Sequence, residues 1–168
     1  MSKSFVHLHA HTEYSMLDGA AKINDYLKKV KELNQPAAAI TDHGNLYGAL
    51  EFVRQAESLD IKPIIGYEAY LTPGSRFDRP DRDKNKRYHL TLLAENNIGY
   101  QNLVEIVSKA YLEGFYYKPR VDYELLREHA EGIIALSGCL GGEVAQHLAP
   151  DGSRDCLLYT SDAADDEL

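Results

Sequence analysis

Short apolar runs alternate with amphipathic stretches along this chain of 168 residues, and this alternation restricts the fold more than any other feature. Each apolar run has the length of a buried strand, and each amphipathic stretch carries apolar residues at helical spacing. The predicted strands are residues 5–9, 37–41, 63–71, 88–94 and 132–136, and the predicted helices are residues 22–34, 46–59, 97–113, 123–129 and 143–148. This order predicts an α/β protein whose parallel strands are joined by right-handed crossovers. The sheet is either open and doubly wound or closed into a barrel.

Composition excludes several classes of protein. Hydrophobic residues make up 44% of the chain, which is enough for a packed core. The formal net charge of −8 argues against a simple electrostatic nucleic-acid binder, so metal ions would have to supply the positive field for any phosphate ligand. Two cysteines cannot form a secreted-type disulfide framework, and we expect neither a signal peptide nor a membrane span. These features favour a cytoplasmic protein of one domain.

One segment departs from the alternation. Residues 72–87 show no hydrophobic period and contain six basic and three acidic residues, so we expect a surface loop. The excess of positive charge suggests that this loop steers a DNA strand. The candidate nucleic-acid-binding residues are Arg76, Arg79, Arg82 and Arg87.

Side chains suited to metal binding lie at or near the ends of the predicted strands, where parallel α/β folds gather their catalytic residues. Imidazole, carboxylate and thiolate are the ligands that borderline divalent metals prefer. The candidates are His9, His11, Asp18, His43, Glu68, His89 and Cys139. His9 and His11 are two residues apart, so an extended strand would direct both to one face. The same spacing does not exclude His7.

Each candidate also has a structural explanation. His9, His11 and His43 could be strand-end histidines bonded to the backbone, and His89 could be a core histidine. Cys139 could be a small buried hydrophobic residue. A nucleophilic role for Cys139 is the least favoured, because no dedicated base is evident.

Five segments together resemble the polymerase and histidinol phosphatase (PHP) family, in the form found at the N-terminus of bacterial DNA polymerase III alpha subunits. They are HLHAHTEYSMLDG at 7–19, TDHGNLYG at 41–48, GYEAY at 66–70, HLTLLA at 89–94 and LSGCL at 136–140. The resemblance covers about residues 5–151, and the segments around His11 and His43 carry most of it.

The resemblance implies a distorted barrel of seven strand–helix units, truncated here before its last units, around up to three divalent metal ions (Zn, Mn, Mg or Fe). The implied metal ligands are His9, His11, Asp18, His43, Glu68, His89 and Cys139, with Glu68 bridging metals. The implied catalytic residues are Asp18, His43 and Glu68. His7 and Asp42 are expected to support the ligands from behind. The family also has a late Asp-x-His pair, which this chain does not contain.

The implied activity is metal-dependent phosphoester hydrolysis, in particular 3′-to-5′ removal of terminal nucleotides, within the alpha subunit of a replicative DNA polymerase. The implied partners are DNA, the remainder of the alpha chain and other replisome subunits. Two alternatives stay open: a stand-alone phosphatase acting on a small substrate such as histidinol phosphate, and a non-catalytic scaffold of the polymerase stabilised by metal. The segments at 100–104 and 113–120 favour the polymerase type.

The predicted domain boundary lies near residue 154. Residues 1–154 are expected to form an incomplete PHP domain. Residues 155–168 do not continue the pattern, and we interpret them as translated read-through of a gene fragment. The alternative is a divergent natural tail.

Overall fold

The computed structural model describes residues 5–16, 18–140 and 142–148. Within these ranges the helices are α1 (Ile23–Glu32), α2 (Ala49–Ser58), α3 (Asn97–Leu112), α4 (Tyr123–Glu128) and α5 (Glu143–Leu148), and the strands are β1 (Ala37–Ile40), β2 (Lys62–Leu71), β3 (Tyr88–Ala94), β4 (Phe115–Tyr116), β5 (Lys118–Val121) and β6 (Ile133–Leu136). Every element predicted beyond residue 22 is present. None of the helices in these ranges has both the length and the apolar character needed to cross a membrane. The predicted boundary near 154 and the tail at 155–168 lie outside the described residues.

The ten-residue strand β2 is the centre of the sheet. β1 runs parallel to its first half, from the pair Ala37–Lys62 to the pair Ile40–Ile65. β5 runs parallel to its end, and β3 runs antiparallel to it from Gly66 onward. β6 pairs antiparallel with β3, and β4 forms a short hairpin with β5. The sheet is therefore mixed, with strand order β4-β5-β2-β3-β6 and β1 on β2.

The expectation of uniformly parallel strands is wrong for β3. No crossover helix lies between β2 and β3, because residues 72–87 contain only a short 3₁₀ turn at Arg82–Lys84. A chain that returns to the sheet without a crossover pairs antiparallel with the strand it left. The α/β class itself is as predicted, and the hairpin β4–β5 is an addition that the sequence pattern did not indicate.

The first predicted strand, residues 5–9, is not a regular strand in the structure. Backbone pairing begins one residue later, where the amide of Thr41 donates to the carbonyl of Ala10 at 2.9 Å. The chain then turns at Thr12, whose carbonyl accepts from the amide of Ser15 at 2.9 Å.

Two apolar clusters form the core between the helices and the strands. One packs α3 and α4 against β2, β3 and β5, and the other packs α1 and α2 against β1. On β2, Tyr67, Ala69 and Leu71 lie in the first cluster. Since successive strand residues point to opposite faces, this alternation directs Glu68 and Tyr70 to the other face.

The segment 72–87 is anchored rather than free, so the expectation of a surface loop is wrong for Arg76. Arg76 is only 6% exposed and forms ion pairs with Asp122 at 3.0 Å and Glu113 at 2.7 Å. Arg79 donates to the backbone carbonyls of Arg76 and Glu113. Buried or bonded guanidinium groups of this kind hold the segment against α3 and α4 instead of facing solvent.

Candidate metal centre

Glu68 lies at the centre of the cluster of predicted ligands. Its side chain is 2% exposed, and four imidazoles surround it. His9 Nε2 contacts Oε2, and His11 Nε2 lies 3.2 Å from the same oxygen. His89 Nδ1 lies 2.7 Å from Oε1, and His43 Nδ1 lies 3.7 Å from it. One buried carboxylate is therefore shared by histidines from three separate parts of the chain.

The backbone fixes this convergence. The amide of Glu68 donates to the carbonyl of Asp42 at 3.1 Å, and the amide of Gly44 donates back to the carbonyl of Glu68 at 2.9 Å. This bridge places His43 directly beside Glu68. His89 is the second residue of β3 and pairs with Tyr70 of β2. Two sheet contacts thus set the positions of His43 and His89.

Asp18 and Cys139 extend the cluster on two sides. Asp18 Oδ2 lies 2.5 Å from His43 Nε2, and the thiol of Cys139 hydrogen-bonds His89. The rings of His11 and His43 stack with centroids 4.0 Å apart. All seven predicted ligands therefore lie in one connected group. Within it, two sets have their ligand atoms within 4.8 Å of one another: His9, His11 and Glu68, and His43, Glu68 and His89.

Asp42 supports the centre through the adjoining turn. It is 1% exposed and accepts hydrogen bonds from the amide and hydroxyl of Thr12, at 2.6 and 2.7 Å, and from the hydroxyl of Ser15 at 2.6 Å. The hydroxyl of Ser15 in turn accepts from the amide of His43 at 3.0 Å. Asp42 thus acts on His43 through Ser15, and it fixes the turn that follows His11.

Gly44 is required by two features of its position. Its φ is +69°, in the left-handed region that disfavours side chains. A Cβ there would also lie 3.0 Å from Pro119 Cγ and 3.1 Å from the ring of Tyr70. The glycine therefore allows β5 and Tyr70 to approach the loop that carries His43.

Tyr70 lies beside the cluster, and the sequence analysis did not single it out. Its ring lies 5.3 Å from that of His89 and 6.1 Å from that of His43, and Lys118 Nζ lies 5.3 Å from its centroid. The available signal was its spacing of two residues from Glu68, which places both on one face of β2. Thr12 and Ser15 were also missed, although they lie between the predicted ligands His11 and Asp18.

Other predicted residues lie outside this group. His7 is exposed, and its ring packs edge-on against Phe5 at 4.7 Å. The contacts of the described residues give it no supporting role behind the ligands. Arg76 is committed to its ion pairs, which contradicts its predicted availability to DNA. Arg82 and Arg87 are exposed.

Contacts within the cluster shift the pKa values of Glu68, His89 and His11 from their ordinary values. Burial alone would raise the pKa of Glu68, but hydrogen bonds from His11, His89 and His9 lower that pKa well below its usual range. Burial opposes the charged form of His89, yet its bonds to Cys139 and Glu68 raise its pKa to about 10. Burial works to lower the pKa of His11, but its bond to Glu68 and the charges of Glu68, Asp18 and Asp42 together raise that pKa. Since a metal ligand must be a neutral imidazole, a cation binding here would displace protons.

The donor set fits a divalent cation. Imidazole nitrogens, carboxylate oxygens and a thiol are ligands of borderline divalent metals. His11 Nδ1 is buried and has no hydrogen-bond partner among the described residues, although buried polar atoms ordinarily have one. Each oxygen of Glu68 faces a different set of histidines: Oε2 faces His9 and His11, and Oε1 faces His43 and His89.

A family model described as the PHP domain matches residues 7–167, which is nearly the whole chain. The chain belongs to the PHP family. The motifs that define the cluster around Glu68 all lie within the matched range. The predicted boundary near residue 154 stays a prediction.

Within the PHP family, the chain is similar to DNA polymerase III subunits alpha. It is 60% identical over 152 residues to the protein from Thermus aquaticus, covering 88% of this chain and 12% of that protein. It is 53% identical over 168 residues to the protein from Deinococcus radiodurans, covering 94% of this chain and 13% of that protein. The chain thus spans about an eighth of the length of these relatives.

Solved structures overlap with this PHP chain only in part. A protein from Bifidobacterium adolescentis, named as a candidate metal-dependent phosphoesterase, superposes with a TM-score of 0.47 at 17% identity. The overlap covers 64% of this chain and 33% of that one. The family assignment rests on the sequence matches.

Proposed function

We propose that this chain is the PHP domain of a bacterial DNA polymerase III alpha subunit, and that its histidine cluster is a divalent-metal phosphoesterase site. The observation that supports this most directly is the burial of one carboxylate, Glu68, among four imidazoles. A buried carboxylate with this many nitrogen ligands around it is typical of a metal site. The similarity to alpha subunits supports the polymerase setting.

The residues proposed to hold the cations are His9, His11, Asp18, His43, Glu68, His89 and Cys139. Divalent cations at such a site activate water and neutralise charge on a phosphoester. Glu68 and the imidazoles provide a fixed frame, while Asp42 and Ser15 keep the backbone of His43 in place. Asp18 contacts His43 at the more exposed side, where it can orient that ring or accept a proton.

The proposed reaction is hydrolysis of a terminal phosphodiester, with 3′-to-5′ removal of nucleotides from DNA. Arg82 and Arg87 are exposed and are proposed to contact DNA phosphates, with Arg79 less available because its guanidinium is bonded to backbone carbonyls. The proposed partners are DNA, the remainder of the alpha chain and other replisome subunits, in the cytoplasm. The proposed cations are Zn, Mn, Mg or Fe.

The test is release of nucleotides from a 3′-labelled single-stranded oligonucleotide by the full-length protein. Wild-type protein loaded with Mn²⁺ or Zn²⁺ should release the label, and chelation should abolish the release. His9→Ala should lose at least about 100-fold in rate, because it removes a direct contact to Glu68. The matched control is His129→Asn, which changes a histidine at the end of α4 that bonds Lys109 and Asn102 of α3.

Two outcomes would favour the alternatives. Bound metal without hydrolysis, unchanged by His9→Ala, would favour a scaffold stabilised by metal. Hydrolysis of small phosphomonoesters but not of DNA would favour the stand-alone phosphatase, which the similarity to polymerase subunits already disfavours.

A further inference from the structure

Lys118 lies beside the candidate metal centre and has no role in the site described above. It is exposed at the start of β5, and its Nζ lies 5.3 Å from the centroid of the Tyr70 ring. The same ring packs against His89 at 5.3 Å and against His43 at 6.1 Å. A single aromatic ring therefore connects this ammonium group to two of the proposed ligands.

The backbone around Lys118 is held firmly. Tyr117 forms the tight turn of the β4–β5 hairpin with φ of 62°, and Pro119 packs where the missing side chain of Gly44 would lie. The neighbouring Arg120 is fully buried and donates to the carbonyls of Gly114, Arg76 and Asp78. These contacts fix the start of β5 against the His43 loop, so Lys118 has a defined position at the edge of the centre.

Lys118 also differs from the other cations that the fold brings near this edge. Arg76 forms ion pairs with buried or half-buried carboxylates, and Lys84 pairs with Asp81. The guanidinium of Arg120 donates to backbone carbonyls. Lys118 forms no ion pair with any described side chain. Its contact with Tyr70 is a cation–π interaction, which orients an ammonium group without neutralising it. The positive charge is therefore available to an anion.

We propose that Lys118 binds the phosphate group of the substrate at the metal centre. This rests on the proposed phosphoesterase function. A lysine ammonium is a mobile point charge with three donors, well suited to a phosphate that must enter and leave. In a chain with net charge of −8, an exposed cation at the site edge would attract the anionic group and direct it toward the histidine cluster.

The first experiment measures hydrolysis of thymidine 5′-(p-nitrophenyl phosphate) by the full-length, metal-loaded protein. Lys118→Ala should raise KM about tenfold, as expected for one lost charge-assisted hydrogen bond, with kcat changed less than about threefold. Lys118→Arg should restore most of the loss, because it keeps the charge. The matched control Lys28→Ala removes an exposed lysine from α1 and should behave as wild type. A KM for Lys118→Ala within twofold of wild type would overturn the proposal.

The second experiment does not depend on turnover. Lysine acetylation of the full-length protein is followed by peptide mass spectrometry with inorganic phosphate, with the dinucleotide d(TpT), or with neither. Acetylation of Lys118 should slow about fivefold with a phosphate ligand, while Lys28 is unaffected. Protection by both ligands indicates recognition of phosphate itself, and protection by d(TpT) alone indicates a nucleotide phosphodiester.

Equal acetylation of Lys118 under all three conditions would overturn the proposal. The outcome is separable from that of the proposed function. If wild-type protein hydrolyses DNA but Lys118 is neither protected nor needed for a low KM, only this inference fails. If wild-type protein hydrolyses nothing, the proposed function fails, and the labelling still decides whether Lys118 binds phosphate.

Discussion

The cluster around Glu68 and the ion-pair network around Arg76 both bury charge, but they satisfy it differently. In the Arg76 network opposite charges are paired directly: a buried guanidinium faces Asp122 and Glu113, and Asp122 also caps α4 by accepting from the amide of Leu125 at 3.0 Å. In the Glu68 cluster, several nitrogen donors converge on one carboxylate, and His11 Nδ1 lacks a partner among the described residues. Buried charge that is neutralised internally indicates a structural role, whereas converging ligand atoms indicate a binding site.

Glu68→Gln should give the largest effect on function. The amide keeps the shape of the side chain but removes the charge that both sets of histidines share. We expect metal content to fall and oligonucleotide hydrolysis to drop at least about 100-fold. Metal is measured by plasma mass spectrometry, and folding by circular dichroism. Wild-type metal content and rate in this variant would contradict the assignment of Glu68 as the central ligand.

Arg76→Met should act on stability instead of on metal binding. Removing one partner of a buried ion pair leaves an uncompensated carboxylate, at a cost of about 3 kcal/mol. Hydrogen exchange in residues 72–87 should therefore accelerate about 100-fold in the full-length protein. Arg82→Met, in the same segment but exposed, is the control and should change exchange little. Equal exchange in the two variants would show that Arg76 does not anchor the segment.

The difference in hydrogen exchange between Arg76→Met and wild type should depend on pH. Burial works to raise the pKa of Asp122, but hydrogen bonds from the amides of Arg76 and Leu125 and the charge of Arg76 lower it below its ordinary value of 3.8. A lowered folded-state pKa contributes stability above the ordinary value, and this stability is lost as pH falls through the folded-state pKa. The exchange ratio between Arg76→Met and wild type should be constant near neutral pH and shrink as pH drops below about 4. An exchange ratio that grows as pH falls would contradict the role given to the Asp122 carboxylate.

Gly44→Ala should have a smaller effect, on the stability of the loop that carries His43. The substitution forces a side chain into left-handed backbone and against Pro119 and Tyr70, at a cost of about 1–2 kcal/mol. Gly74→Ala is the control, since its added Cβ would meet only the carboxylate end of Asp78 at 3.1 Å. Differential scanning calorimetry should show a lower Tm for the Gly44 variant alone. Equal Tm values would mean that the His43 loop tolerates a wider approach of β5.

Local pattern was enough to predict most of the elements and to select candidate residues that the structure brings together. The spacing of apolar residues located α1 to α5. The positions of His43, Glu68 and His89 at or near the ends of predicted strands indicated that they would lie together. The antiparallel direction of β3 could have been predicted, because residues 72–87 contain no helix that could return the chain for a parallel strand.

Contacts between distant segments could not be predicted in this way. The burial of Arg76 depends on Asp122, which is 46 residues away, and nothing in the basic composition of residues 72–87 separates Arg76 from Arg82. The placement of Lys118 depends on the left-handed turn at Tyr117 and on the fit between Pro119 and Gly44. Composition gives the charge of such a segment, and only the fold shows which charges are already paired.

Anomalous X-ray diffraction from crystals of the metal-loaded full-length protein tests the central claim most directly. The account predicts anomalous peaks at about 2 Å from Glu68, one bounded by His9 and His11 and one by His43 and His89. Loss of both peaks in Glu68→Gln crystals would complete the result. Protein that hydrolyses DNA with metal bound elsewhere, and with no peak beside Glu68, would contradict it.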